Sequence, residues 1–327
     1  MPARRAARGR AGHRRPRGSG SRVRPRLRAR RCAGHARARQ SQHVARLRRL
    51  ECSADPGGGR VSGARVAAVG VLTGWGEGIG ALPDDAERAA AGRPILPLRI
   101  PPRPGERFRR ATRECLLGLA SVEAMLEDGG LGRDAIAGDR SALVFVTAAA
   151  YGSANRAFIE STTTGAALHF PYTAPSAVPA EVAIEFRLTG PYVILIGGAA
   201  ATVDALWQAS TLVERGVADR AVVLAVETFE ECGSLYARGR WLSRRPLVEA
   251  AASALLVAAR EKPVYRRSRA ARAGMESTRR RAGETLACEP LISLALARQR
   301  GHPTDVSGQW RGQVATLSWP AVASQRD

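Results

Sequence analysis

The chain has 327 residues, 45% of them apolar, with 51 Lys+Arg against 29 Asp+Glu and a formal net charge of +22. That is enough for one large domain or two small ones. The charge is localised: residues 1–60 carry +17, residues 61–260 carry −1 and residues 261–327 carry +6, so an electrically neutral body excludes a nucleic-acid footprint over the whole surface. The longest apolar stretch, Tyr192 to Val203, is closed by Asp204 and falls short of the ~20 residues a bilayer span requires. No apolar segment of signal-peptide type follows the charged N-terminus. Five cysteines (Cys32, Cys52, Cys115, Cys232, Cys288) are odd in number and widely spaced with no CxxC. This argues against a disulfide framework or a zinc site, and for a reducing cytoplasm. Nearly every basic residue is Arg, with Lys262 the single Lys. Phosphate binding does not demand that skew, and a GC-rich coding sequence explains it.

Residues 1–60 are rich in Arg, Ala, Gly and Pro, lack aromatics and show no apolar periodicity. Such a segment cannot offset its ordering entropy, which predicts a disordered head. It reads either as an arginine-rich arm for nucleic acid or acidic lipid, or as sequence upstream of a native start near Val61; the second reading is favoured. From Arg65 the pattern changes. Residues 65–74 predict a first buried strand, and residues 91–105 a Pro-rich loop. Residues 106–128 predict an amphipathic helix with Phe108, Cys115, Leu116, Leu119, Val122 and Met125 at helical spacing. Ser141 to Thr147 predicts a second strand, residues 174–188 a helix, and Tyr192–Ile196 a third strand. After Gly197–Gly198 a helix is expected over residues 201–215. Strands are then expected at Ala221–Val226 and Ala252–Ala259. Residues 261–284 read as a basic linker, followed by a helix over 285–298, a turn over 307–312 and a last strand over 313–319. Helices alternating with apolar strands predict a layered α/β domain.

The informative stretch is residues 189–209, ThrGlyProTyrValIleLeuIleGlyGlyAlaAlaAlaThrValAspAlaLeuTrpGlnAla. It describes a strand, a tight glycine turn and a helix whose N-terminus favours negative charge. A Cys at that position would be an activated thiolate. Together with residues 141–147, 173–184 and 248–258, this stretch resembles the β-ketoacyl synthase family of the thiolase fold, from about Arg65 to Ala259. The resemblance implies a thiolase-like half-fold, with a mixed, mostly parallel five-stranded sheet covered by helices. It puts the family's nucleophile at Ala199, and shifting the register by two residues reaches only Gly197, Gly198, Ala200 or Ala201. None carries a thiol. The family's later half with its two catalytic His residues is also missing, since His169 and His302 are the only histidines after residue 60 and neither lies in the expected context.

The tail (287–297 and 308–319) is similar to the ending of short, Cys-less β-ketoacyl synthase-like N-terminal proteins, and the chain also resembles chain-length factors. No catalytic residue is therefore assigned. The elbow or acyl-pocket candidates are Gly197, Gly198, Ala199, Ala200, Thr202 and Trp207, with Trp207 either contacting an acyl chain or a partner, or packing in the core. Cys115 and Cys288 read as core thiols, Cys232 as an inert thiol beside Glu230 and Glu231, and residues 227–231 as solvated acids rather than a metal site. No cofactor is implied.

The expected organisation is a head (1–60), a β-ketoacyl synthase-like N-terminal domain (61–260), a basic linker (261–284) and a C-terminal helix and strand (285–327) completing the domain. The expected function is that of a non-condensing, chain-length-factor-like accessory subunit in fatty-acid or polyketide-type biosynthesis. Its partners would be a ketosynthase subunit or a second copy, and acyl carrier protein, without membrane or nucleic acid. Half of a duplicated fold is expected to leave a sheet face or edge uncovered. The alternatives are a thioester-handling enzyme, such as a malonyl-carrier-protein decarboxylase or a β-ketoacyl synthase component, and nucleic-acid binding through the head.

Overall fold

A computed structural model of the chain describes residues 63–100, 103–161, 167–229, 245–269, 273–301 and 305–319. The expected head, Cys232 and His302 lie outside the described residues. In chain order, β1 (Gly63–Thr73) turns back onto the short β2 (Gly76–Glu77). The helix α1 (Ala86–Ala90), β3 (Ile95–Leu96), α2 (Arg113–Asp128), β4 (Ser141–Thr147) and α3 (Gly152–Ser161) follow. Next come α4 (Ala177–Phe186), β5 (Tyr192–Ile196), α5 (Ala199–Glu214) and β6 (Arg220–Glu227). Then come β7 (Leu247–Val248), β8 (Ala250–Ala259), β9 (Val264–Ser268), α6 (Ala273–Ala282) and α7 (Glu289–Gln299). A last hairpin joins β10 (Asp305–Trp310) to β11 (Gln313–Ser318).

The main sheet has the order β2-β1-β8-β6-β4-β5. β1, β4, β5 and β6 run one way, and β8 lies antiparallel between β1 and β6. The expected five strands are all present, and β2 adds a two-residue edge. Strict alternation sorts their side chains onto two apolar faces. Leu143, Phe145, Val222, Leu224 and Leu255 pack with Cys115, Leu119, Val122 and Met125 of α2 and Val178 and Val182 of α4. Val144, Val146, Val223, Ala225, Ala252 and Leu256 face α5 and α7, through Val203, Leu206, Ala209, Leu291 and Leu294.

The far side of α5 is covered in turn by a three-stranded sheet, β10-β11-β9, which joins the same core through Val306, Ala315 and Leu317. The expected bare face therefore does not exist, because the chain's own tail covers it. Among the described residues the bare edge does exist. β5 is the outer strand of the main sheet, with Tyr192 41% and Ile196 54% exposed.

Three local expectations are corrected. The helix read from residue 106 starts at Arg113, after a 3-10 turn over Glu106–Arg110. There Thr112 takes the N-cap, its Oγ1 accepting the Cys115 N–H at 3.4 Å. The stretch read as a linker holds β9 and α6. β9 finds its hydrogen-bond partner only in β11, some 50 residues later, so no local pattern announces it. Residues 305–310 form a strand, and the turn is confined to Arg311–Gly312, both at positive φ (48° and 77°). That is the geometry of a tight hairpin turn.

Candidate functional site: the elbow at the start of α5

β5 continues past Ile196, the Gly197 N–H donating to the Thr147 carbonyl at 2.9 Å. The chain then bends at Gly198, the N-cap of α5, with φ −90° and ψ −149° and no side-chain cap. Gly197, Gly198, Ala199 and Ala200 are all buried. A Cβ on Gly197 would press on that of Ala201, and one on Gly198 would overlap the indole of Trp310. A Cβ on Gly308 would overlap the Ala199 carbonyl. β10 therefore lies directly on the elbow, and the glycines on both sides permit the approach. The Ala199 side chain is 1% exposed.

Thr202, offered as a pocket residue, is a tie instead. Its hydroxyl donates to the Ala287 carbonyl at 2.6 Å, linking α5 to the turn before α7. Trp207 does not pack in the core. It is 42% exposed and stacks on Tyr265 of β9 with ring centroids 4.9 Å apart. Tyr265 and Arg267 both bond Asp204 on α5, each at 2.5 Å. Desolvation and the Asp204 carboxylate push the Tyr265 hydroxyl up to about 12. Elbow and small sheet are thus brought together, with the half-exposed Trp207 stacked against β9.

Cys115 and Cys288 are buried free thiols. Burial pushes Cys115 up to about 11 and Cys288 well above the ordinary thiol range, with the nearby Glu227 adding to the second shift. Neither is an activated nucleophile. His169 falls in the 3-10 segment Ala167–Thr173. Among the described residues, no group of three or more His, Cys, Asp or Glu is arranged to hold a metal ion. No helix among them is long and apolar enough to cross a membrane.

Glu227, expected among solvated acids at a strand end, is the opposite. It is fully buried at the end of β6, on the α5–α7 side of the sheet. Its carboxylate accepts the N–H groups of Ala148 at 2.6 Å, Ala149 at 2.9 Å and Ala287 at 3.3 Å, and the Thr147 hydroxyl at 3.4 Å. Desolvation outweighs these donors and pushes it up to about 8. Just before β8, the buried Glu249 accepts the Leu98 and Phe229 N–H groups and pairs with Arg113. The sequence signal for Glu227 was its place at the end of a continuously apolar strand, where the side-chain parity of β6 points it inward.

A helix layer on each side of a mostly parallel sheet with one reversed inner strand, and a glycine elbow feeding the helix beneath it, defines a thiolase-like α/β protein. Residues 99–246 match the family model of the beta-ketoacyl synthase N-terminal domain. Among solved structures it is similar to "The ishigamide ketosynthase/chain length factor", at 15% identity and TM-score 0.60, covering 79% of this chain and 99% of that one. It is also similar to a chain of a type II polyketide synthase acyl-carrier protein in complex with its ketosynthase, at 13% identity and TM-score 0.64, with 80% and 99% covered. A beta-ketoacyl synthase from Burkholderia phymatum STM815 matches at 14% identity and TM-score 0.58, with 80% and 100% covered. At these identities the likeness is one of fold. No curated protein matches the sequence.

Proposed function

We propose that the protein is a non-condensing, chain-length-factor-like accessory subunit that pairs with a ketosynthase in fatty-acid or polyketide-type biosynthesis. The observation that carries this reading is the elbow. The position that would hold a nucleophile is Ala199, a methyl group cannot carry an acyl thioester, and Trp310 and Gly308 pack against the surrounding backbone. A decarboxylase using only an oxyanion site would need that helix N-terminus open to substrate, and here β10 lies on it.

The surface supports association. Among the described residues β5 presents an unpaired strand edge with Tyr192 and Ile196 exposed, the type of edge that recruits another strand. Of the basic side chains on β9 and just after it, Arg267 is engaged by Asp204. Arg266 and Arg269 are exposed and make no ion pair among the described residues. They offer an acidic acyl carrier protein a contact. The neighbours' names, a ketosynthase/chain length factor and a carrier protein with its ketosynthase, fit such an assembly. The buried free thiols fit a reducing, cytoplasmic setting.

Co-expression with a complete ketosynthase, followed by size-exclusion chromatography with light scattering, tests the reading. A stable 1:1 complex whose products change in length on adding the subunit is expected. A monomer that neither binds the ketosynthase nor alters its products overturns it.

A further inference from the structure

A groove of about 480 Å3 opens between α2, the β1–β2 hairpin and the segment that follows β3. Its volume lies in the range of small-molecule sites. The apolar wall is made by Leu72 of β1, Leu98 and Ile100 after β3, and Ala120 and Ala124 of α2. Ala120, Glu123, Ala124 and Glu127 recur at helical spacing, so one face of α2 runs along the groove. That face turns partly to solvent, where a helix ordinarily carries long polar side chains. The two alanines there leave the space open.

The walls are fixed by bonds to the surrounding structure. The Leu98 N–H donates to the buried Glu249 at 2.8 Å, and its carbonyl accepts from Arg113, which pairs with the same Glu249. Arg103 pairs with Glu123, which also meets Arg133 at 2.7 Å. The lining charges that make no ion pair among the described residues are two exposed carboxylates, Glu77 and Glu127, against Arg99 alone. Glu77 stands opposite Leu72 in the β1–β2 ladder. Directly opposite residues share a face of the sheet, and Leu72 packs in the core cluster with α2. Glu77 therefore lies on the side of the sheet where α2 carries Glu127. Two carboxylates do not make a metal site, and among the described residues no group of three or more such ligands is arranged to hold an ion.

We propose that this groove binds an amphiphilic cation: a primary ammonium group meets Glu77 and Glu127 at the rim, and an unbranched aliphatic chain lies on Ile100, Ala120 and Ala124. An ammonium has three donors and no acceptor, so it serves two carboxylates at once. The chain covers apolar wall that the free protein leaves in contact with water, and that burial supplies the affinity an exposed ion pair lacks.

Titration of the full chain with n-octylammonium at pH 7 and low salt, followed by amide chemical shifts, tests the site. Saturable shifts centred on Ala120, Ala124 and Glu127 are expected. Octanoate, with a like stem and the opposite charge, is expected to bind about tenfold more weakly or worse. Ethylammonium, which lacks the stem, should lose more than about tenfold. The Glu77→Gln, Glu127→Gln double variant is expected to weaken octylammonium binding by about three- to tenfold, the size of two exposed ion pairs. Ala124→Leu fills the groove and should abolish the shifts. Absence of saturable shifts at Ala120 and Ala124 in the unmodified protein overturns the proposal. So does equal affinity for octanoate or ethylammonium, or octylammonium binding undiminished in the double variant or in Ala124→Leu.

Discussion

Ala199 is the residue on which the chemistry of this chain turns, and two properties act on it together. It has no nucleophilic atom, and its side chain is almost fully enclosed. Restoring the sulfur alone is therefore not expected to restore reactivity. In Ala199→Cys, peptide mapping after iodoacetamide treatment should find the new thiol unmodified under native conditions and modified after denaturation; rapid native alkylation would show the elbow to be open. The glycine beside it is fixed by packing. A methyl group on Gly198 meets the aromatic carbons of Trp310 rather than the end of a flexible chain, so either the indole or the elbow has to shift. Gly198→Ala should destabilise by about 1–3 kcal/mol, the usual range for overpacking. Urea denaturation of Gly198→Ala in a Trp310→Gly background should show that loss largely removed, because the clash is a pairwise term.

The strands differ in how much of their role their own residues announce. β4, β6 and β8 are continuous apolar runs, and the buried positions on both faces follow from that composition. The bounds of β5 are equally legible, yet nothing in TyrValIleLeuIle distinguishes an outer strand from an inner one. Its edge position is set by which strands pair with β4 and β6. β9 and α6 were illegible for a related reason. They are Arg-rich, and part of that charge is taken up by carboxylates on other elements: Asp204 for Arg267, Glu289 for Arg279 and Asp85 for Arg280. Tertiary pairing thus makes ordered elements out of a sequence that reads as solvated. The elbow itself was legible through its glycines and the missing Cys, whereas its cover was not, since Trp310 meets Gly198 across more than a hundred residues of chain. The exposed β5 edge carries its own expectation. Ile196→Lys places a charge on that edge, which blunts strand addition. It should weaken ketosynthase association by at least tenfold in a titration while leaving the thermal unfolding midpoint within about 2 °C, as expected for an exposed position. Equal association of the two proteins would move the partner surface elsewhere.

The chain's own tail forms a fourth layer that covers α5. Residues 264–319 supply the small sheet and α7, and two indoles fasten this segment to β1 and the turn after it. Trp319 donates to the Ala64 carbonyl at 2.7 Å, and Trp75 donates to the Ala282 carbonyl at 2.9 Å. The closure buries two carboxyls whose affinity for protons is higher folded than unfolded, Glu227 at about 8 and Glu289 at about 7 against an ordinary value of 4.5. The sign of the consequence follows from linkage. Where the native state binds more protons than the unfolded state, stability falls as pH rises. The contribution of each group is fully present below about pH 4.5, declines above it, and is gone once the pH has passed the folded-state value. Carboxylates of the usual kind, such as Asp219 held low by its hydrogen bond to Arg140, lose their contribution only as pH falls through the acid range, well below this window. Between pH 6 and pH 9 the buried glutamates should therefore dominate, and the thermal unfolding midpoint followed by circular dichroism should drop across that interval. The Glu227→Gln, Glu289→Gln double variant should show a much flatter profile over the same range. A midpoint that instead rises from pH 6 to pH 9 in the unmodified protein would mean that both carboxyls are already ionised at pH 6.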